Sequence, residues 1–170
     1  MLQPKKTHNQ AVKDNPFSKV PTDIDNARCA EQIAVMNQIN EAGEDPFDLT
    51  LLKARGQEII KEGQYWYITP NRWPYQATKH HYLIVSIPYW TDPHEISAAA
   101  AAEFFEFFNW LVDYCQAPGG GVGFRFGDSN YSAGTVAHLH AQFIVPDLTH
   151  PEYKPVRFKI GKDKERLAAS

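Results

Sequence analysis

Three side chains of one short stretch carry the chemistry this chain can do: His138, His140 and Gln142, spaced i, i+2 and i+4, with Leu139, Ala141 and Phe143 between and beyond them. Side chains alternate between the two faces of a β-strand, so in a strand the polar three share one face at intervals of roughly 6.5 Å. The apolar three then face a core, and the alternation favours a strand over a helix. Before them runs a loop of small and hydrogen-bonding residues from Gly127 to Thr135, including Asn130, Ser132 and Gly134. A neutral imidazole attacks phosphorus or acyl carbon once one ring nitrogen is held as a donor. The loop offers backbone N–H groups and the hydroxyls of Ser132 and Thr135, and Gly134 lets the backbone approach a phosphate closely. Gln142 adds an amide donor that never titrates. Nucleophile, anion cradle and neutral donor together point to phosphoryl or nucleotidyl transfer.

The same two imidazoles also fit a metal half-site on a strand. That reading needs a further ligand, for which His80, His81, His94 or a distant carboxylate is available. The glutamate that a cupin-like site places after its second histidine is missing from Phe143-Ile144-Val145-Pro146, so no metal site is expected.

At these residues the chain resembles the histidine triad (HIT) superfamily, whose motif is His-x-His-x-His followed by two apolar residues. Gln142 in the third position is similar to the His-x-His-x-Gln branch, which includes galactose-1-phosphate uridylyltransferase and the diadenosine tetraphosphate phosphorylases. The resemblance implies that His140 is the nucleophile and forms a nucleotidyl-histidine intermediate, that His138 orients it, and that Gln142 holds the phosphoryl oxygens. Asn71-Arg72-Trp73-Pro74 resembles the family's Asn-x-x-Pro turn, which implies a ribose-binding role for Asn71. The strand after that turn opens with a histidine in the family; His81 aligns there, with His80 adjacent. Ser132, Gly134 and Thr135 match the phosphate-side loop. The family's upstream amide falls on Gly127 here, a departure for which Asn130 is the nearest substitute. The implied function is nucleotidyl transfer from a nucleotide di- or polyphosphate, in the manner of a dinucleoside polyphosphate phosphorylase. A hydrolase using water as acceptor and a nucleotide-binding interaction module are the alternatives. No cofactor is built in, and any Mg²⁺ arrives with the substrate.

The rest of the composition narrows the setting. With 170 residues the chain can bury a sizeable core without disulfides. A net charge of −3 argues against broad nucleic-acid binding. Cys29 and Cys115 are isolated, no apolar run is long enough to span a membrane, and the N-terminus lacks a signal-peptide h-region. A cytoplasmic protein is expected.

The elements that must position the site follow from patterning. Residues 1–22 are polar and Pro-punctuated and read as an irregular arm; 23–160 read as one HIT-like domain with its motif core at about 57–147; 161–170 read as a charged tail. A helical extension is expected from Asp25 to about Asn40, with Ala27, Ala30, Ile33, Ala34 and Met36 on its apolar side and Gly43 to Pro46 ending it. The segment Asp48 to Gly56 is ambiguous. Strands are expected at 57–62 and 64–69, joined by a tight turn at Gly63, and at 81–88. Asp92, Pro93 and Glu95 predict the start of one long helix running to about Cys115. Its aromatic stripe suits sheet-covering core or a homodimer surface. Ala117 to Gly121 stops it and forms a turn before a strand at 122–126, and Val156 to Ile160 alternates like an edge strand with solvated Arg157 and Lys159. The fold class is α+β: about five mostly antiparallel strands with one long helix packed on them.

Overall fold

The computed structural model describes residues 22–24, 27 and 29–162. The expected arm, apart from Thr22, and the expected tail from 163 onward lie outside the described residues.

Helix α1 is Ala30–Ala42, and it stops where the sequence predicts because Gly43 takes the left-handed conformation (φ 62°) and its N–H returns to the Asn40 carbonyl. The helix begins later than expected, and its buried face is Gln32, Met36 and Ile39 while Ile33 is exposed. The buried row follows i, i+4, i+7, but it opens with a carboxamide, which a search for apolar spacing passes over. Helix α2, Leu49–Ala54, occupies the ambiguous segment and is capped by the Asp48 carboxylate, which accepts from the Thr50 and Leu51 N–H groups at 2.8 and 3.0 Å.

Strands β1 (Lys61–Glu62), β2 (Trp66–Pro70) and β3 (Thr78–Ser86) follow. The expected hairpin is present, but its first strand is only two residues long. Its turn is bound instead to the long helix: the Glu103 carboxylate accepts from the N–H groups of Gln64, Tyr65 and Trp66 at 2.7 to 3.0 Å. The predicted helix start at Asp92 is corrected. Its capping box is complete, yet it closes only a 3₁₀ turn, Pro93–Glu95, after which Ile96 is extended (φ −76°, ψ 115°). Ser97 then caps the long helix α3, Ala98–Tyr114, accepting from the Ala100 N–H at 3.2 Å.

Strand β4 is Gly121–Phe124, the short helix α4 is Ser129–Ser132, and β5, the motif strand, is His140–Pro146. The glycine run before β4 is the expected turn, and it lies hard against β5: a Cβ on Gly120 would come within 2.4 Å of the Ile144 carbonyl oxygen. All pairings in the five-stranded sheet are antiparallel, in the order β1-β2-β3-β5-β4. The expected edge strand at 156–160 is not formed. Its place is fixed by Arg125, whose guanidinium lies 3.9 Å from the Phe158 ring centre and whose Nε donates to the Lys159 carbonyl at 3.1 Å.

The expected two-faced motif strand is present. Leu139, Ala141, Phe143 and Val145 join Trp66, Ile68, Ile84 and the α3 residues Phe104, Phe107 and Leu111 in the main core. The stripe on α3 is thus partly sheet-covering core, while Phe105 and Tyr114 are exposed. On the other face Tyr67, Leu83 and Val85 pack with Phe47, Leu49 and Leu52. His140 and Gln142 lie opposite Val85 and Leu83 in the ladder, so they share that second face. The result is the α+β class read from the sequence. No helix of the described residues is long and apolar enough to cross a membrane.

Candidate functional site

The ring of His140 is held by its own strand. Nδ1 lies 2.9 Å from the carbonyl oxygen of His138. A carbonyl only accepts, so Nδ1 carries the proton and donates, and Nε2 is left with its lone pair. The side chain lines a cavity of about 400 Å³, with the Phe47 ring edge-on at 4.9 Å. Burial pushes the imidazole down to about 4; Arg125 and the neighbouring His138 push the same way, while the bond to the His138 carbonyl and the Asp45 carboxyl oppose them. Near neutral pH the group is therefore an unprotonated imidazole with one lone pair.

His138 acts on His140 through its backbone. Its own ring is fully buried, with Nδ1 2.5 Å from Asp45 Oδ2 and Nε2 2.7 Å from the Ser86 carbonyl oxygen and 3.0 Å from Ser86 Oγ. The Ser86 carbonyl can only accept, so Nε2 donates to it, and Nδ1 is taken by the carboxyl. Both ring nitrogens of His138 are thereby committed within the protein, which removes it from the two-histidine metal arrangement. Among the described residues no three His, Cys, Asp or Glu side chains are grouped to hold a metal ion.

The register of β3 on β5 separates the two adjacent histidines of β3. His81 is buried and faces Gln142, with Nε2 3.2 Å from Gln142 Oε1. His80 stands against Tyr82 on the other face, at 6.3 Å between ring centres. The Tyr75 backbone N–H donates to His81 Nδ1 at 3.0 Å, which holds the ring with Nε2 toward Gln142. Gln142 itself lines the cavity. Asn71 completes the cluster: its Nδ2 is 2.9 Å from His81 Nε2, and its Oδ1 accepts from the Trp73 N–H at 3.0 Å. It too lines the cavity.

The loop before the motif reaches the same cavity through Ala133, Thr135 and Val136. Gly134 is buried and its N–H donates to Ser132 Oγ at 3.2 Å, so that hydroxyl stabilises the loop. Asn130 is not on the cavity wall; its N–H donates to Asp128 Oδ1 and its carbonyl accepts from Lys162. The structure therefore has His140, Gln142, Asn71 and Thr135 lining one cavity, with His81 hydrogen-bonded to Gln142. It places His138, Asn130, Ser132 and Gly134 in supporting positions.

Several residues at the site have no signal in the sequence. Asp45 reads as part of a helix-ending Gly-Glu-Asp-Pro turn, yet it is the buried partner of His138. Phe47 packs on both motif imidazoles. Arg125 lies just past β4 and donates from Nη2 to the Tyr75 hydroxyl at 3.1 Å. Trp73 lines the cavity, and its enclosed indole Nε1 has no hydrogen-bond partner among the described residues. The basic pair of the C-terminal segment, Arg157 and Lys159, is solvent-exposed as expected and also lines the cavity.

No protein-family model matches the chain, and no curated protein matches it. Solved structures do. A hypothetical protein from Leishmania major is similar at 16% identity and a TM-score of 0.50, over 72% of this chain and 89% of that one. A Hit-like protein is similar at 20% identity and a TM-score of 0.48, over 59% of this chain and all (100%) of its own. A histidine triad protein from Clostridium difficile is similar at 18% identity and a TM-score of 0.46, over 65% of this chain and 99% of its own. At these identities the likeness is one of fold.

Proposed function

We propose that the chain is a histidine-triad-type enzyme of the His-x-His-x-Gln kind, which moves a nucleotidyl group from a nucleotide di- or polyphosphate to phosphate or water. The observation that carries this reading is the His140 Nε2 lone pair, directed by a main-chain bond at Nδ1 and lining a cavity beside the amide donors of Gln142. Nε2 attacks the α-phosphorus in line. As the P–N bond forms, the P–O bond to the next phosphate breaks, and the remaining phosphate chain leaves with the electron pair. The acceptor then attacks the same phosphorus, the P–N bond breaks, and His140 returns to its neutral form. Two in-line displacements retain configuration at phosphorus.

Gln142, held by His81, donates to the non-bridging oxygens throughout, where negative charge builds in the transition state. Asn71 offers its carboxamide to the vicinal hydroxyls of a ribose, and Thr135 adds a hydroxyl in the same cavity. His138 works through its carbonyl, with Asp45 and Ser86 fixing the ring that carries it in place. Any Mg²⁺ accompanies the phosphate chain of the substrate.

The test is a rapid alkaline quench of the protein mixed with a dinucleoside tetraphosphate labelled at the α-phosphorus. Label should appear on His140 within one turnover, and His140→Ala should lower kcat by about 10⁴-fold or more while nucleotide still binds. Added phosphate should speed cleavage and yield a nucleoside diphosphate; mononucleotide formed equally fast without phosphate makes the enzyme a hydrolase. Tight nucleotide binding with no labelled histidine and no turnover would make it a binding module and end the catalytic reading.

A further inference from the structure

The cavity is out of character with the chain that encloses it. The chain has 17 Lys and Arg against 20 Asp and Glu. Yet the described residues lining the cavity include Arg55, Arg72, Arg125, Arg157 and Lys159 and not one Asp or Glu. Two of these cations are matched nearby, Arg55 with Glu44 and Arg72 with Glu31. The other three come from the stretch just after β4 and from the C-terminal segment. Among the described residues Arg125 and Arg157 take part in no ion pair, and the hydrogen bonds of Arg125 go to a hydroxyl and a carbonyl that leave its charge uncompensated.

The C-terminal segment is fixed beside the cavity. Phe158 packs under the Arg125 guanidinium and against Gly123, and its neighbours Arg157 and Lys159 line the cavity from its solvent-exposed side. Beyond them the Lys162 N–H donates to the Asn130 carbonyl at 2.9 Å, and the Lys162 ammonium, only 4% exposed, pairs with Asp23 at 2.8 Å. The same cavity has an apolar part to its lining, from Val35, Met36, Ile39, Phe47 and Leu52, and His140 lines it too.

We infer that Arg125, Arg157 and Lys159 form the subsite for the departing phosphate chain, so that the enzyme selects donors whose leaving group is a polyphosphate over donors with a neutral or singly charged one. This rests on His140 being the nucleophile. When its P–N bond forms and the P–O bond breaks, the electron pair moves onto the leaving phosphate, and cations there stabilise the charge as it develops. Guanidinium groups suit that task because they stay charged at all working pH values and match phosphate oxygens in pairs, and that of Arg125 is held in place by the Tyr75 hydroxyl and the Lys159 carbonyl.

The experiment compares Arg157→Gln/Lys159→Gln with the wild type on two donors of the same nucleotide. One donor has a triphosphate-bearing leaving group; the other is a p-nitrophenyl ester. The ratio of their kcat/KM values should fall by at least about 30-fold in the double variant, as two charge-assisted contacts are lost, and Arg157→Lys alone should keep part of it. Calorimetry with inorganic tripolyphosphate, on proteins of matched melting temperature, separates this subsite from the chemistry. A wild type that turns over neither donor but binds tripolyphosphate at least tenfold more tightly than the double variant keeps the subsite and removes the nucleophile reading. A wild type that turns over both donors, with ratio and tripolyphosphate affinity unchanged in the double variant, overturns the subsite and leaves the nucleophile in place.

Discussion

At the scale of the residue, the decisive feature is that His140 is buried and neutral. Its imidazole is held down to about 4 by burial first, against an ordinary value of 6.5. As pH falls below about 6.5 the unfolded chain takes up a proton at this position that the folded protein resists until about 4. The unfolded state therefore binds more protons in that window, and stability declines on acidification by up to about 3 kcal/mol from this group. Urea unfolding at pH 7 and pH 4.5 should show a larger loss for the wild type than for His140→Gln; equal losses would mean that the buried imidazole is not the source. In the same way, the acid limb of kcat should fall near pH 4 and not near 6.5. The residue types at this cavity were legible because strand alternation puts His140 and Gln142 on one face. The ring orientations were not, since they depend on Tyr75, Ser86 and Asp45, which reach the motif only through the fold.

At the scale of the element, local signals were read well where they were also energetically decisive. The alternation of β5 and the left-handed stop at Gly43 appear as the sequence implies. The start of α3 does not: two adjacent capping sequences compete, and Asp92 takes the 3₁₀ turn while Ser97 takes the helix. Helix α2 has six residues, too few for a periodic pattern to declare itself. The edge segment at 156–160 alternates like a strand, but the Arg125 guanidinium supplies the fixing bonds that a ladder would have made. The glycine turn before β4 offers a direct test. Gly120→Ala puts a methyl group 2.4 Å from the Ile144 carbonyl oxygen and must displace backbone, so a loss of about 1–3 kcal/mol in unfolding free energy is expected; an unchanged urea midpoint would show that the turn yields freely.

At the scale of the whole molecule, the N-terminal third, which carried no functional signal, turns out to build the site. Helix α1 supplies Val35, Met36 and Ile39 to the cavity wall, and the turn after it supplies Asp45 to His138. Partners 93 residues apart leave no trace in local spacing, which is why this half of the site was invisible in the sequence. Asp45→Ala strips a fully buried imidazole of its partner and should cost about 3–5 kcal/mol. Asp45→Asn, which keeps the shape and one polar contact, should cost less. Denaturant titration of both variants checks this, and equal stability of Asp45→Ala and wild type would show that the pair does not tie the two parts of the chain together.

The bond that sets the His140 tautomer ends on a peptide oxygen, and every amino acid brings one. Point mutation at position 138 can therefore alter the packing around the imidazole but cannot delete the acceptor that fixes which nitrogen is bare. Only a slip of the strand by insertion or deletion, or replacement of that amide linkage by chemical synthesis, would unset it. In this arrangement the identity of the reactive atom is inherited from main-chain geometry, and drift in the surrounding side chains is free to change what the cavity accepts without changing which atom attacks.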